Sequence, residues 1–441
     1  VESVLLYVVG ILIIVVGLAL SIGLHEIGHL VPAKLFRVKV GQYMIGFGPT
    51  LFSKRRGETE YGVKAIPLGG YISMAGMYPP AKQGAKARTA STSFFDTMVQ
   101  DARDSSADTV AEGEEERTFY RLPVYKRIIV MLGGPFMNLL IAVVLYAVLF
   151  MGFGISQPST TLGSVSECVQ PADSTATECA PGDPRAPGAA AGLQPGDKLL
   201  SVDGEPVESW AQATQTIRDN PGRAIAFQTE RDGATRAVQV TPLLTERPVF
   251  DDAGQLKLDA AGNPITTEVG FIGVGAAYEL AQQPASAVLP AVGDNIVAVG
   301  NVILHLPQRL IDIAEAAFGP EERDPNGPIS VVGVGRLAGE IASIDAPVTE
   351  RAASLVGLVA SLNVALFVFN LIPLMPLDGG HVAGALWEGI RRFFAKLFRR
   401  PDPGPVDTAK LVPITLAVVI ILGGMSALLI YADIVKPITL L

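Results

Sequence analysis

His25, Glu26 and His29 stand in the run Leu24-His25-Glu26-Ile27-Gly28-His29-Leu30. In a helix, residues four apart share a face one turn apart, so the two imidazoles can converge on a single metal ion. This is the H-E-x-x-H arrangement, in which the glutamate takes a proton from a water that the ion activates. The chemistry it points to is zinc-dependent hydrolysis. A His, Glu, His trio can also cap a helix at a membrane interface, because it directly follows an apolar run that begins at Val4. A second stretch separates the two readings. Asn370-Leu371-Ile372-Pro373-Leu374-Met375-Pro376-Leu377-Asp378-Gly379-Gly380-His381 again places a carboxylate and an imidazole at the end of an apolar run, and three of the chain's four histidines fall in these two places. A catalytic zinc takes three protein ligands and keeps a fourth position for water. Asp378 is the candidate third ligand.

These residues need apolar helices that end at one depth. Val4 to about Leu24 is long enough to span a bilayer core, and the helix is expected to continue through the motif to about Phe36. Lys34, Arg37, Lys39, Lys54, Arg55, Arg56 and Lys64 follow, which makes this side cytoplasmic by the positive-inside rule and puts the N-terminus outside. A second span, Ile128 to about Phe150, begins after Arg121, Lys126 and Arg127. A third runs from about Ala352 to Leu371, and Pro373 and Pro376 should unwind the helix near Asp378. Because this span starts outside, its end reaches the cytoplasmic leaflet, the depth expected for His25 and His29. Leu411 to about Tyr431 is a fourth span, which returns the C-terminus outside. Arg391, Arg392, Lys396, Arg399, Arg400 and Lys410 mark the cytoplasmic loop before it, and its Trp387 to Phe398 part is basic and amphipathic, suited to anionic lipid.

Composition agrees. The 441 residues are 49% hydrophobic and 17% charged, with a mean hydropathy of +0.38, which fits a polytopic membrane protein with soluble parts. A net charge of −9 and the lack of a basic arm exclude nucleic acid as the partner. The first apolar run is too long for a signal-peptide core and has no small-residue cleavage site before His25, so it reads as a retained span. Cys168 and Cys179 are the only cysteines, too few for a disulfide framework; in a loop outside the cytoplasm they could pair or remain two thiols.

The two motifs together, in this order and setting, resemble the site-2 protease family of intramembrane zinc metalloproteases, in particular the bacterial branch that carries a PDZ domain, of the regulator of sigma-E protease type. The resemblance implies cleavage of a peptide bond in or beside a membrane-spanning helix of another protein, often a single-span anti-sigma factor already trimmed outside. It implies Zn2+ as cofactor, His25, His29 and Asp378 as its ligands, Glu26 as catalytic base, and Asn370 and Asn138 as groups that bond the substrate backbone. His381 matches the family pattern without being a ligand there.

The expected fold is a polytopic α-helical membrane protein of about four transmembrane helices, with short membrane-associated β-structure and an inserted extracytoplasmic α+β PDZ domain. Residues 1–36 carry the first span, 37–78 a β-rich segment of short strands and tight turns, and 79–121 a flexible polar cytoplasmic insert with the acidic cluster Glu112 to Glu116. The second span occupies 122–152, where Gly133-Gly134-Pro135 and Asn138 allow close helix packing. Residues 153–282 form the PDZ-like region, with a helix near Trp210 to Arg218, β-runs at Ala224 to Thr229 and Arg236 to Thr241, and a closing strand Val269 to Ala277. Its groove would take a peptide end or strand. Ala287 to Ile313, in an interfacial segment at 283–348, is interrupted by Pro290, Asp294, Asn301, His305, Pro307 and Arg309 and reads as an amphipathic helix on the bilayer rather than a span; His305 reads as a surface residue. Asn326-Gly327-Pro328-Ile329-Ser330 resembles a family element of uncertain role. The third span with its Asp378 motif fills 349–384, a basic loop 385–408 and the fourth span 409–435. A non-enzymatic membrane scaffold is the rival reading, but a scaffold has no need of Glu26. A zinc transporter would show an internal repeat and further intramembrane charges, which the chain lacks.

Overall fold

The computed structural model describes residues 2–79, 94–110, 113–171, 179–249, 256, 257, 259, 264–320, 323, 324 and 327–439. In chain order, α1 (Glu2–Leu35), β1 (Val40–Arg56), β2 (Thr59–Met74), α2 (Phe94–Asp108) and α3 (Val124–Ala147) come first. Next are β3 (Ile155–Val165), the short α4 (Pro187–Ala190), β4 (Lys198–Val202), β5 (Glu205–Pro206), α5 (Trp210–Arg218), β6 (Ile225–Arg231), β7 (Ala234–Val240), β8 (Leu243–Pro248), β9 (Thr266–Phe271) and β10 (Val274–Ala281). The last are α6 (Val288–Leu304), α7 (Leu306–Phe318), α8 (Val331–Ser343), α9 (Val348–Asn370), α10 (Asp378–Leu397) and α11 (Val412–Val435). The chain divides into two units, Val1–Phe153 with Gln283–Leu441, and Gly154–Gln282.

The first unit holds the long helices. Among the described residues five stretches are long and apolar enough to cross a membrane: Glu2–Leu35, Val124–Phe153, Ala285–Leu304, Val348–Asn370 and Thr408–Val435. The third of these adds to the four expected from the sequence. Its helix α6 ends at Leu304 and α7 restarts at Leu306, so the expected single amphipathic helix is two. Pro307 explains the break, since its ring removes a helical N–H and crowds the carbonyl four residues back. The third span also divides: α9 stops at Asn370 and α10 starts at Asp378, so the Asp378 motif belongs to the next helix.

Small residues bring α1 against its neighbours. A methyl group on Gly28 would lie 2.1 Å from the Gly133 carbonyl oxygen of α3, and one on Gly10 would lie 2.2 Å from the Ala338 oxygen of α8. Such backbone contact is open to glycine alone. Asn363 of α9, fully buried, donates to Ser21 Oγ of α1 at 2.9 Å, a bond that lipid cannot replace. The β-rich segment is two long strands rather than several short ones. Gly46 and Gly48 adopt positive φ and fold β1, so that Gln42 to Ile45 pairs with Gly70 to Ser73 on one side and Glu60 to Val63 on the other. Part of the polar insert lies outside the described residues. The described part contains α2, held by the pairing of Arg103 with Asp407.

The second unit is a five-strand path, β10-β3-β4-β6-β7, with β5 added to β4. Alternation along β6 turns Ile225, Phe227 and Thr229 inward, and Leu162, Leu199, Val240 and Ile217 of α5 close the core. Ser209 caps α5 by accepting from the Gln212 N–H at 3.3 Å. The closing strand expected at Val269 to Ala277 is two strands in different sheets, because Gly273 at φ +77° turns the chain between β9 and β10. β9 pairs with β8 as a separate hairpin, and Cys168 and Cys179 are joined in a disulfide.

Asp197 is buried and bonded to Arg231, with Nη2–Oδ2 at 2.7 Å, and this guanidinium holds its carboxyl below the usual carboxylate range. In the unfolded chain the same group titrates at about 3.9. The pair therefore stabilises the second unit fully above about pH 4 and is lost as pH falls through the lower folded value. Asp197→Asn should lower the thermal midpoint of this unit at pH 7, and the gap to the parent should close as the pH is taken below about 4. Circular dichroism melts of the full chain across that range test this.

Candidate metal centre

Two local devices deliver the chemically capable residues. α1 carries His25, Glu26 and His29 in consecutive turns after its apolar stretch. α10 begins at Asp378 because the turn before it holds Pro373 and Pro376, and because Gly379 and Gly380 let that turn fold back. A methyl on Gly379 would stand 2.3 Å from the Ile372 oxygen, and one on Gly380 would stand 2.6 Å from the Met375 nitrogen. The Asp-Gly-Gly sequence is thus a steric condition for placing the carboxylate.

The three side chains meet. Asp378 Oδ2 is 3.3 Å from His25 Nε2 and 3.3 Å from His29 Nε2, and the two Nε2 atoms are 3.2 Å apart. A tetrahedral ion with ligand bonds of about 2.0–2.1 Å separates its ligand atoms by about 3.3 Å, so the triangle is one face of such a site. The bonding around it agrees. His29 Nδ1 donates to the Val130 carbonyl of α3 at 2.8 Å, which leaves Nε2 with its lone pair toward the cluster. Asp378 Oδ2 is buried without a hydrogen bond. Glu26 is buried on the same turn, and neither carboxylate has a lysine or arginine partner among the described residues. Two buried carboxylates without a countercharge are costly, and a divalent cation supplies one.

The structure gives the two asparagines different surroundings. Asn138 is 1% exposed and its amide lies 3.2 Å from His25 Nδ1, with Oδ1 otherwise unpartnered. Turned so that Oδ1 accepts from Nδ1–H, the amide satisfies both atoms and frees His25 Nε2 as a ligand. Asn370 ends α9 half-buried and donates to the Leu366 carbonyl at 3.0 Å. His381 sits in the first turn of α10 and is not one of the three converging residues. His305 lies apart, exposed between α6 and α7, with Nδ1 2.8 Å from the Asn301 oxygen.

Two glycines shape the site more closely than their place in the sequence suggests. A methyl on Gly134 would meet His29 Nε2 at 2.2 Å and His25 Nε2 at 2.7 Å, so the backbone of α3 forms one wall of the centre. A methyl on Gly70 would meet Glu26 Cγ at 3.0 Å, which sets β2 beside the base. Ser21 and Asn363 escaped the sequence reading. Lone polar residues inside apolar runs are the cue that would have found them.

Residues 13–399 match Peptidase family M50. The chain is 32% identical over 447 residues to Zinc metalloprotease Rip1 of Mycobacterium tuberculosis, an alignment covering 99% of this chain and 100% of that protein. With Zinc metalloprotease Rip1 of Mycolicibacterium smegmatis the identity is 33% over 453 residues, again 99% and 100% of the two chains. Metalloprotease MmpA of Caulobacter vibrioides is 29% identical over 406 residues, covering 87% of this chain and 88% of its own. Similarity of this extent, running through both motifs that build the centre, makes the chain a member of Peptidase family M50, the site-2 protease family.

Proposed function

We propose that this protein is an intramembrane zinc endopeptidase that hydrolyses a peptide bond in or near the membrane-spanning segment of another membrane protein. The observation that carries the reading is the buried triangle of His25, His29 and Asp378 with Glu26 on the same turn, set at the end of an apolar helix in a chain of this family. His25 Nε2, His29 Nε2 and Asp378 Oδ2 would hold the zinc. When bound, the ion supplies Lewis-acid activation of a water and of the scissile carbonyl. Glu26 accepts the proton of the attacking water and then delivers it to the leaving amine nitrogen. Val130 and Asn138 hold the histidine rings in the ligating tautomer, so Asn138 serves the metal, and Asn370 is left to bond the substrate backbone. An unwound substrate segment finds further partners along β2 beside Glu26, replacing hydrogen bonds that lipid does not offer.

Four full crossings suit this site better than five. His25 and His29 lie toward the inner end of α1, and Asp378 follows α9, so α9 must run from outside to inside. With α3 as the one crossing between them this holds. A full crossing by α6 would reverse α9, and α7 and α8, at 13 residues each, are too short to restore it. The termini and the second unit are then extracytoplasmic, where the Cys168–Cys179 disulfide is at home. The second unit acts as a PDZ module that takes a peptide end or strand, and the substrate is a single-span protein of the anti-sigma factor type, a class suggested by the family resemblance.

Purified protein should cut a single-span reporter lacking most of its outer domain, within or beside the span, and a chelator should stop it. Glu26→Gln should lose roughly a hundredfold to ten-thousandfold in rate while retaining its zinc, as measured by elemental analysis. Asp378→Asn should lose zinc and activity together. Gly134→Ala should impair zinc retention because its methyl cannot avoid His29, whereas Phe136→Ala on the exposed face of α3 should not. Reporter bound but uncut by the parent, in two different reporters, would favour a scaffold.

A further inference from the structure

A groove of about 410 Å³ lies on the second unit between α5 and the turn that joins β9 to β10. Trp210, Thr214, Ile217 and Arg218 come from α5, Phe271 from the end of β9, Val274 from the start of β10, and Arg247 from β8. The lining contains two guanidiniums and no carboxylate. Arg247 of β8 lines this groove, whereas its neighbour Glu246 lines a different one. Arg247 stacks on Phe271, its guanidinium carbon 3.8 Å from the ring centroid, and its Nε is buried without a hydrogen-bond partner. Thr214 Oγ1, across the groove, is likewise buried and unpartnered. Two side chains bordering one groove thus each carry a polar atom without a partner, and a ligand with acceptor oxygens is chemically matched to them.

The neighbouring strand indicates the form of that ligand. β10 starts at Val274, in the groove wall, and runs to Ala281 as the end strand of its sheet, paired with β3 and with no described strand on its other edge. An extended peptide can add to such an edge through its main chain and project alternate side chains into the groove. We infer that this groove binds an extended peptide segment and selects an acidic side chain in it, held between Arg218 and Arg247. One cation comes from α5 and the other from β8, so the groove is bordered by positive charge on two elements, and the eight-residue edge lets a segment run on beyond it. The inference rests on the reading of this unit as a peptide-binding module and adds a charge requirement set by Arg218 of α5 and Arg247 of β8. A protease substrate would then need an acidic residue in its outer segment.

Fluorescence anisotropy with the full-length protein in detergent micelles tests this. The probe is a ten-residue fluorescein-labelled peptide of alternating Val and Thr, amidated at its C-terminus, with one central Glu or with Gln in its place. The Glu peptide should bind about tenfold more tightly than the Gln peptide. Arg247→Met should abolish the difference and Arg247→Lys should restore part of it; Arg218→Met gives a second reading should Arg247→Met disturb the fold. Equal affinity of the two peptides in the parent, or a preference that survives both methionine variants, overturns the acidic selection while leaving a peptide groove. If affinity follows a free C-terminal carboxylate on the Gln peptide and ignores the central Glu, the site is a chain-end site and the inference is wrong. Binding of neither peptide removes the groove and its selectivity together, and reporter cleavage in the same preparation then shows that the protease reading stands without it.

Discussion

Ionisable side chains at membrane depth are tolerable only when they neutralise one another, and that condition organises the helical unit. Glu26 and Asp378 carry charge that no arginine or lysine offsets among the described residues, and His25 and His29 add nitrogen lone pairs directed at the same point. On the reading proposed above, a divalent cation satisfies His25, His29 and Asp378 together and supplies the countercharge beside Glu26. The remainder of the unit can be seen as the means of keeping those groups close. α1 and α3 touch backbone to backbone at Gly28 and Gly133, so Val130 and Gly134 reach the histidines at fixed height. The turn after α9 then brings the third group in from another direction.

Polar atoms buried elsewhere in this unit set which helices neighbour one another. Asp433 of α11 accepts from the N–H groups of Ser330 at 2.7 Å and Gly333 at 3.2 Å, and pairs with Arg323, so the start of α8 is tied to the last helix. This gives a structural role to Gly327-Pro328-Ile329-Ser330; Asn326 lies outside the described residues. Glu388 of α10 pairs with Arg127 of α3 and, at 3.1 Å, with Arg392. Removing one member of such a pair strands the other charge, so each acts as a register pin more than as a source of net stability. The second unit contains the buried Asp197–Arg231 pair. The core of this unit is built from Leu162, Leu199, Ile225 and Phe227.

Much of the architecture was legible in the chain alone. Apolar runs of spanning length and the lysines and arginines beside them mark four helices, because the bilayer imposes one length and one charge bias on any sequence. The strong period-two stretches of the second unit and its Ser209-capped helix are readable for a similar reason, each being set by local pattern. The reading weakened where local pattern and tertiary need part. The stretch after Ala285 is apolar enough to span yet broken by Pro307, and the β-rich segment is long strands folded by Gly46 and Gly48, which from sequence alone are equally consistent with turns.

The chemistry divides in the same way. From the chain alone it follows that two histidines share one helix face a turn apart with a glutamate beside the first, since four-residue spacing on a helix leaves no other arrangement, and that a carboxylate stands at the end of another apolar run. The sequence could not bring Asp378 to His25 across more than three hundred residues, nor reveal that Gly134 forms a wall of the site, that Asn138 leans on a ligand ring, or that Ser21 bonds Asn363. Those facts depend on which helix faces which, at what height and rotation. That is decided by backbone contact between glycines and by a few buried hydrogen bonds, interactions whose partners lie far apart in sequence and leave no periodic trace in it.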